Sequence, residues 1–269
     1  MEKPVIQWPA EAVWEAVAPL LPGFTVEVLP EVDSTSSELM RRLRAGQPEP
    51  TLLVAERQTA GRGRMGRGWH SEVGDSLTFS LSLPLTPADW SGLSLDVGVS
   101  VAESLHTALQ LKWPNDVWLH GRKLGGILIE TAGAAGGQRH VVIGIGLNIA
   151  ARAAAQADSL SVPPAGLREL LPGIDAAQTL LRVAEPLVRT VQIFEKLGFA
   201  PFRARFAQHD LLLDQAVTLS NGMAGIGRGV DESGALQVMT ADGLKAITSA
   251  EVSVRPATAP PTLPNGQAN

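Results

Sequence analysis

Apolar positions recur along the chain with two periods, and the switches between them outline the fold. Residues 11–21 have the spacing of a short helix that stops at Pro22-Gly23. Val26 and Val28 then alternate with polar neighbours, as in a strand. In VDSTSSELMRRLRAG, Thr35 and Glu38 have the S/T-x-x-E spacing of a capping box, Leu39, Met40 and Leu43 form an apolar stripe, and Gly46 closes a helix. TLLVAERQ (51–58) predicts a strand, and SLTFSLSLPL (76–85) another, with clean period-two alternation. Helical spacing returns over 93–110 through Val97, Val101, Leu105 and Ala108. Pro114 holds Trp113 extended, and Asn115-Asp116 predicts a turn. Residues 123–130 and 140–148 predict paired strands joined by a Gly/Ala-rich loop at 132–137. Leu180, Ala184, Leu187, Val191 and Phe194 lie on one face of a helix over 176–197, which Pro186 is expected to kink or split. Beyond about residue 210, short alternating runs (Val217 and Leu219; Leu236 and Val238) are broken by Asn221-Gly222 and Asp242-Gly243, which predicts a small β barrel or sheet. The Pro-rich end, 257–269, reads as a disordered tail. There is no internal repeat.

Composition narrows the classes. The 269 residues are 45% hydrophobic, enough for one large domain and a small one. The net charge of −5 disfavours bulk attraction to nucleic acid or anionic lipid, so any anion site is local. Zero cysteines exclude disulfides, thiolate metal sites and cysteine nucleophiles. The first residues have no signal-peptide pattern, and no stretch approaches the ~18 apolar residues of a membrane helix. A cytoplasmic protein with no membrane partner is expected.

One stretch stands out: QTAGRGRMGRGW, residues 58–69. Its GRGRMG core fits G-x-G-x-x-G, but a dinucleotide fingerprint must open a helix, and here a strand follows. No Walker A sequence occurs. Glycines let a backbone fold around a ligand and present N–H groups to it, and Arg62, Arg64 and Arg67 add planar forks that match phosphate and carboxylate oxygens. Such a loop between strands suits a bulky anion such as a nucleotide. Two other readings stand beside it: a solvated surface loop in an arginine-rich chain, and an RGG-like nucleic-acid segment. The single short copy and the acidic net charge weigh against the last.

The stretches VDSTSSELM, AERQTAGRGRMGRGWHSEVGDSLTFSL, LKWPNDVWLHGRKLGGILIE, VVIGIGLNI and GIGRGVDESGALQV resemble, in order, those of the biotin–protein ligases, the biotin–[acetyl-CoA-carboxylase] ligase family. They cover roughly residues 32 to 256. The resemblance implies an α+β fold of the class II synthetase-like, biotin–lipoate ligase type. Its mixed, mostly antiparallel sheet with helices would occupy residues 1–209, and an SH3-like β-barrel residues 210–256. It also implies two half-reactions. The carboxylate of biotin attacks the α-phosphate of ATP, carried with Mg²⁺, to give biotinyl-5′-AMP and pyrophosphate. A lysine amine of a biotin carboxyl carrier protein domain then attacks the activated carbonyl and releases AMP. No covalent enzyme intermediate is needed.

Carried over by position, the resemblance places Ser34, Thr35, Ser36 and Gln58 against biotin. Thr35 is also a plausible helix cap, Gln58 a solvated strand end, and Ser36 stands where the family usually has asparagine. Arg62, Gly63 and Arg64 would wrap biotin and the phosphates on a loop that orders with ligand, while Arg67 and Trp69 would lie on the nucleotide side. Met65 takes a place where many relatives have a basic residue. Lys112, Asn115 and Asp116 would hold phosphates and Mg²⁺, with Asp116 as the metal ligand and no tightly bound metal otherwise. Read on their own, Asn115-Asp116 are a turn and Lys123 is a solvated lysine. The motif instead puts Lys123 at the biotin carboxylate and α-phosphate, as the catalytic cation with Arg62 and Arg64. Asn148 would read the adenine edge, and Arg228 and Arg255 would reach the ATP tail. The 32 residues before Asp33 leave little room for a DNA reader, so a monofunctional ligase without nucleic-acid partners is expected, and a homodimer is allowed. The rival functions are a lipoate–protein ligase-like acyl-adenylate transferase and a non-catalytic biotin-binding sensor.

Overall fold

Neighbouring residues of the central strands point to opposite sides, and each side is covered by a different set of helices. The computed structural model of the chain describes residues 6–133, 139–151, 164–248 and 254–256. The first half runs α1 (Ala10–Val17), β1 (Thr25–Val32), α2 (Thr35–Arg44), β2 (Thr51–Gln58), the two-residue strands β3 (Gly61–Arg62) and β4 (Gly68–Trp69), then β5 (Ser76–Pro84) and α3 (Leu93–Leu105). Next come β6 (Gln110–Lys112), β7 (Asp116–Leu119), β8 (Arg122–Gly133), β9 (Arg139–Asn148), α4 (Ala176–Leu197) and α5 (Arg203–His209). The last strands are β10 (Ala216–Leu219), β11 (Ala224–Val230), β12 (Leu236–Thr240), β13 (Gly243–Ile247) and β14 (Val254–Pro256).

Seven strands form the main sheet in the order β1-β2-β5-β9-β8-β7-β6. Only β1–β2 is parallel, so the sheet is mixed and mostly antiparallel, as expected. Leu52, Val54, Val141 and Ile143 point into the large core under α1, α3 and α4. Leu53 and Val142, one residue out of phase, pack instead with Leu39, Met40 and Leu43 of α2. Burying each of those three stripe residues contributes about 1.5–3 kcal/mol, so α2 is held by its apolar stripe. A second sheet, β13-β12-β11-β10-β14, is wholly antiparallel. It shares the large core through Val230 and Leu236, and the buried Trp113 donates its indole N–H to Gly234 O at 3.0 Å. No helix among the described residues is long and apolar enough to cross a membrane.

Several local expectations change. The cap of α2 is Ser34, one residue earlier than the capping-box spacing implied; its Oγ accepts from Ser37 N at 3.4 Å. Thr35 is already helical because its hydroxyl is engaged by Gln58 and Ser80, and Glu38 pairs with Arg41 and Arg42 rather than reaching back to the cap. Helix α3 stops at Leu105, where His106 turns extended and its Nδ1 accepts from Ala108 N, so Leu109 rather than Ala108 is buried. Asp116 is the first residue of β7, paired with Lys112, rather than part of the turn. Helix α4 runs through Pro186 as one element of 22 residues. Leu180 and Ala184 before the proline and Leu187, Val191 and Phe194 after it are all buried, and this burial on both sides outweighs the proline's cost of about 3 kcal/mol. Ala132 and Gly133 extend β8, while 134–138 and the tail from 257 lie outside the described residues.

A fully buried carboxyl group lacks a hydrogen-bond partner among the described residues. Asp96 in α3 is 0% exposed, and neither carboxylate oxygen has a partner among the described residues. Burial pushes its carboxyl from 3.8 up to about 9, against the pull of Arg205. The folded protein therefore keeps a proton that the unfolded chain has lost, and stability falls as pH rises between those values. Asp96→Asn removes the ionisation. In urea titrations it is expected to exceed wild type by about 1–3 kcal/mol near pH 8.5, a gap that shrinks towards about pH 5. A gap independent of pH would contradict this account.

Candidate active site

Under the start of α2 and past it, the face of the sheet that α2 covers carries mostly small residues. Ser80, Gly144 and Leu128 lie side by side across β5, β9 and β8, and Thr78, Gly146 and Gly126 form the next row. A Cβ at position 144 would sit 2.4 Å from Ser36 Oγ, and one at 146 would sit 2.4 Å from the Trp69 indole. Glycine at these two places lets a hydroxyl of α2 and the ring of Trp69 rest directly on the sheet. Above Thr78, Gly126, Gly144 and Gly146, and bounded by the start of α2, the β3–β4 ribbon and the wall of β6–β8, lies a cavity of about 620 Å³, within the usual range for small-molecule sites; Ser80 lies under α2 and does not line it.

Fourteen of the residues singled out in the sequence line this one cavity. Ser34, Thr35 and Ser36 come from the start of α2 and Gln58 from the end of β2. The ribbon contributes Arg62, Gly63, Arg64, Arg67 and Trp69. Lys112, Asn115, Asp116 and Lys123 come from β6–β8 and Asn148 from the end of β9. Two candidates are not brought to it. Arg228 is exposed on β11, where a nearer carboxylate, Asp214, takes its guanidinium, and Arg255 is described only as backbone of β14.

The charges are arranged around Asp116. Lys123 Nζ donates to Asp116 Oδ1 at 2.6 Å, and Lys112 Nζ lies 4.0 Å from Oδ2. Lys112 also sits 5.3 Å from the centre of the Trp118 ring, a cation–π contact. Arg64 donates to Asn115 Oδ1 at 3.4 Å, and Asn115 is itself fixed by its amide donating to Ile127 O at 2.7 Å. Burial pulls the Arg64 guanidinium below its ordinary value, with Asp116 acting in the opposite direction. A half-buried cation in this setting gains most from an anionic ligand. The indole N–H groups of Trp69 and Trp118 are buried without a partner among the described residues, and each such donor costs about 1–3 kcal/mol until satisfied. Among the described residues no three His, Asp or Glu side chains gather as a metal cage. Asp116 is a lone carboxylate of the kind that meets a metal arriving on phosphate oxygens.

The arginine stretch is not irregular. Gly61 pairs with Trp69 and Arg62 with Gly68, and Gly63 N donates to Arg67 O at 2.7 Å around a single tight turn. Arg62 forms an ion pair with Glu130 of β8. Sequence reading missed Glu130, Trp118 and the hydroxyl row Thr78 and Ser80. The row had a signal: every polar position of SLTFSLS is Ser or Thr and none is charged, which suits a buried polar face, and all four are buried.

Comparison with known proteins is consistent with this geometry. Residues 28–148 match the family model described as biotin/lipoate A/B protein ligase, and residues 215–255 match the biotin protein ligase C-terminal domain. The bifunctional ligase/repressor BirA of Escherichia coli is 37% identical over 253 residues, covering 88% of this chain and 76% of that protein. The biotin–[acetyl-CoA-carboxylase] ligase of Paracoccus denitrificans is 32% identical, covering 84% of this chain and 98% of that one. Among solved structures, the biotin protein ligase of Aquifex aeolicus in complex with biotin and ATP superposes with a TM-score of 0.73 at 31% identity, covering 86% of this chain and 99% of that chain.

The Arg62–Glu130 pair ties the ribbon to the sheet, but its partners are 45% and 25% exposed, so it contributes only about 0.2–1 kcal/mol. Trypsin cleavage after Arg62, Arg64 or Arg67 is therefore expected to be about two- to fivefold faster in Glu130→Gln than in wild type. Biotin with ATP should slow it in both. Equal rates for the two unliganded proteins would show that the pair does not hold the ribbon.

Proposed function

The chain belongs to the biotin/lipoate A/B protein ligase family, and from that premise we infer that it is a biotin protein ligase. It uses ATP to convert biotin to biotinyl-5′-AMP and transfers the biotinyl group to a carrier protein. The observation that carries this reading is the single cavity in which the arginine ribbon, two lysines and one carboxylate meet over a glycine floor. In the first step a carboxylate oxygen of biotin forms a bond to the α-phosphorus while the bond to pyrophosphate breaks. In the second, a lysine amine of the carrier's biotin-accepting domain forms an amide with the biotinyl carbonyl, and AMP leaves with the bonding electrons.

The roles of the side chains follow from charge and placement. Attack of one anion on another is opposed by repulsion, and the crowded phosphorus carries more charge on its oxygens than the ground state does. A cation held on a strand counters both. Lys123, at the start of β8, is that cation. Its contact with Asp116 holds it ready, and Asp116 would hold the Mg²⁺ carried on ATP, which would offset charge on the phosphate oxygens. Lys112 and Arg67 hold phosphates, Trp69 and Asn148 flank the base, and Ser34, Thr35, Ser36 and Gln58 hold the ring system of biotin. Arg62 and Arg64, on the ribbon, close over the adenylate. Residues 210–256, which carry the small sheet, are assigned as the C-terminal domain, packed onto the same core as the main sheet. Biotin-dependent exchange of labelled pyrophosphate into ATP tests the whole reading, and lipoate in place of biotin separates it from a lipoate ligase.

Lys123→Ala is expected to lower that exchange by roughly two to three orders of magnitude, the scale of losing one preorganised charge-stabilising donor. Lys123→Gln, which keeps length but not charge, should do no better. Arg64→Ala should weaken retention of biotinyl-AMP by about 1.5–3 kcal/mol, more than it slows synthesis. Single-turnover adenylate formation, followed together with release of the intermediate into solution, measures both. Wild-type rates in Lys123→Ala would remove its assigned role, and slow synthesis without leakage in Arg64→Ala would reverse the assignment of the ribbon.

A further inference from the structure

Behind the cavity wall, one side chain that does not touch the cavity connects three that do. Ser80 is 0% exposed and lies beneath the start of α2. Its Oγ is 2.7 Å from Thr35 Oγ1 and 2.9 Å from Ser36 Oγ. Thr35 Oγ1 in turn donates to Gln58 Oε1 at 3.1 Å. The orientation of the Gln58 amide is set independently, because the backbone N–H of Thr35 also donates to Oε1, at 2.8 Å, and only an oxygen can accept there.

The directions of these bonds follow from counting hydrogens. Each hydroxyl has one. Gln58 Oε1 can only accept, so the hydrogen of Thr35 goes to it. Ser80 must then supply the hydrogen between itself and Thr35, which leaves Ser36 to supply the one between itself and Ser80. All three bonds coexist in that arrangement alone: Ser36 to Ser80, Ser80 to Thr35, Thr35 to Gln58. Ser36, its hydrogen spent, can offer the cavity only an acceptor. Gln58, its oxygen occupied twice, can offer only its amide N–H donors.

We propose that Ser80 is a positioning residue that polarises this chain, so that the subsite selects a ligand group bearing an N–H donor beside a carbonyl acceptor, as an amide or cyclic urea does. The proposal deepens the biotin reading and rests on it. The ureido ring of biotin carries both groups, whereas the dithiolane ring of lipoate has no N–H to give Ser36. Selection between the two acids is thus built into the direction of three hydrogens, and not only into the shape of the pocket.

Calorimetric titration of biotin into wild type, Ser80→Ala, Ser36→Ala and the double variant tests this. Each single change is expected to weaken binding roughly three- to tenfold, the scale of one lost hydrogen bond. Because the two residues act as links of one chain, the double variant should be little worse than the worse single one. Biotin methylated on its ureido nitrogens should bind wild type at least about tenfold more weakly than biotin, and Ser80→Ala, which frees the hydrogen of Ser36, should narrow that ratio. In pyrophosphate exchange the Ser80→Ala loss should fall on KM for biotin rather than on kcat, which a general loosening of the fold would not do. Losses that multiply in the double variant, or a methylation penalty unchanged in Ser80→Ala, would overturn the chain while leaving the ligase reading intact. A wild type that neither binds biotin nor exchanges pyrophosphate would overturn the ligase reading and this proposal with it.

Discussion

The site depends on a stretch of β-sheet that has almost no side chains on one face. Gly144, Gly146 and Gly126 lie next to Ser80 and Thr78 across three paired strands. A methyl group at 144 or 146 would sit 2.4 Å from Ser36 Oγ or from the Trp69 ring, so the hydroxyl or the indole would have to leave its place. The same strands carry Ile143, Ile145 and Leu147 on their other face, buried in the core. The sheet is therefore rigid where it is packed and hollow where it is bare. A site built on such strands holds its groups more closely than one built on loops alone.

Onto this floor the fold brings two unlike surfaces. One is neutral and made of hydroxyls and an amide, at the junction of α2, β2 and β5. The other is charged, with Lys112, Lys123 and Arg64 set about Asp116 and Asn115. A substrate with an uncharged ring at one end and a carboxylate at the other, meeting a nucleotide triphosphate, uses both. The neutral end identifies the acid, and the charged end does the chemistry. Lys123, Arg64 and Arg62 already have acceptors of the protein's own in Asp116, Asn115 and Glu130, so substrate oxygens would exchange for existing partners instead of ordering free side chains.

Much of the fold was legible in the sequence. TLLVAERQ is β2 residue for residue, and the long helix begins and ends where its apolar spacing does. Both depend on periodicity and stop signals within a few residues. The errors lie where a distant partner intervened. The cap of α2 moved from Thr35 to Ser34 because Gln58 and Ser80 hold the threonine hydroxyl. Pro186 failed to divide its helix because both halves are fastened to one core. For the site, the residues alone pointed to an anion-binding arginine loop, the family resemblance supplied the names of its partners, and Arg228 was not brought to the cavity.

By itself the sequence determined most of the longer helices and strands, that no thiol chemistry is available, and that one glycine-rich stretch carries clustered guanidinium groups. Those are properties of composition and of neighbours a few positions apart, and they survive without knowledge of what packs against what. Only the tertiary structure decided that Ser36 meets Ser80 across 44 positions and Arg62 meets Glu130 across 68. Such pairs are set by the register of β2, β5, β9 and β8, where a shift of one residue would turn every side chain to the opposite face. Nothing local to a serine records which way its hydrogen will point. That is fixed by the acceptors the fold places around it.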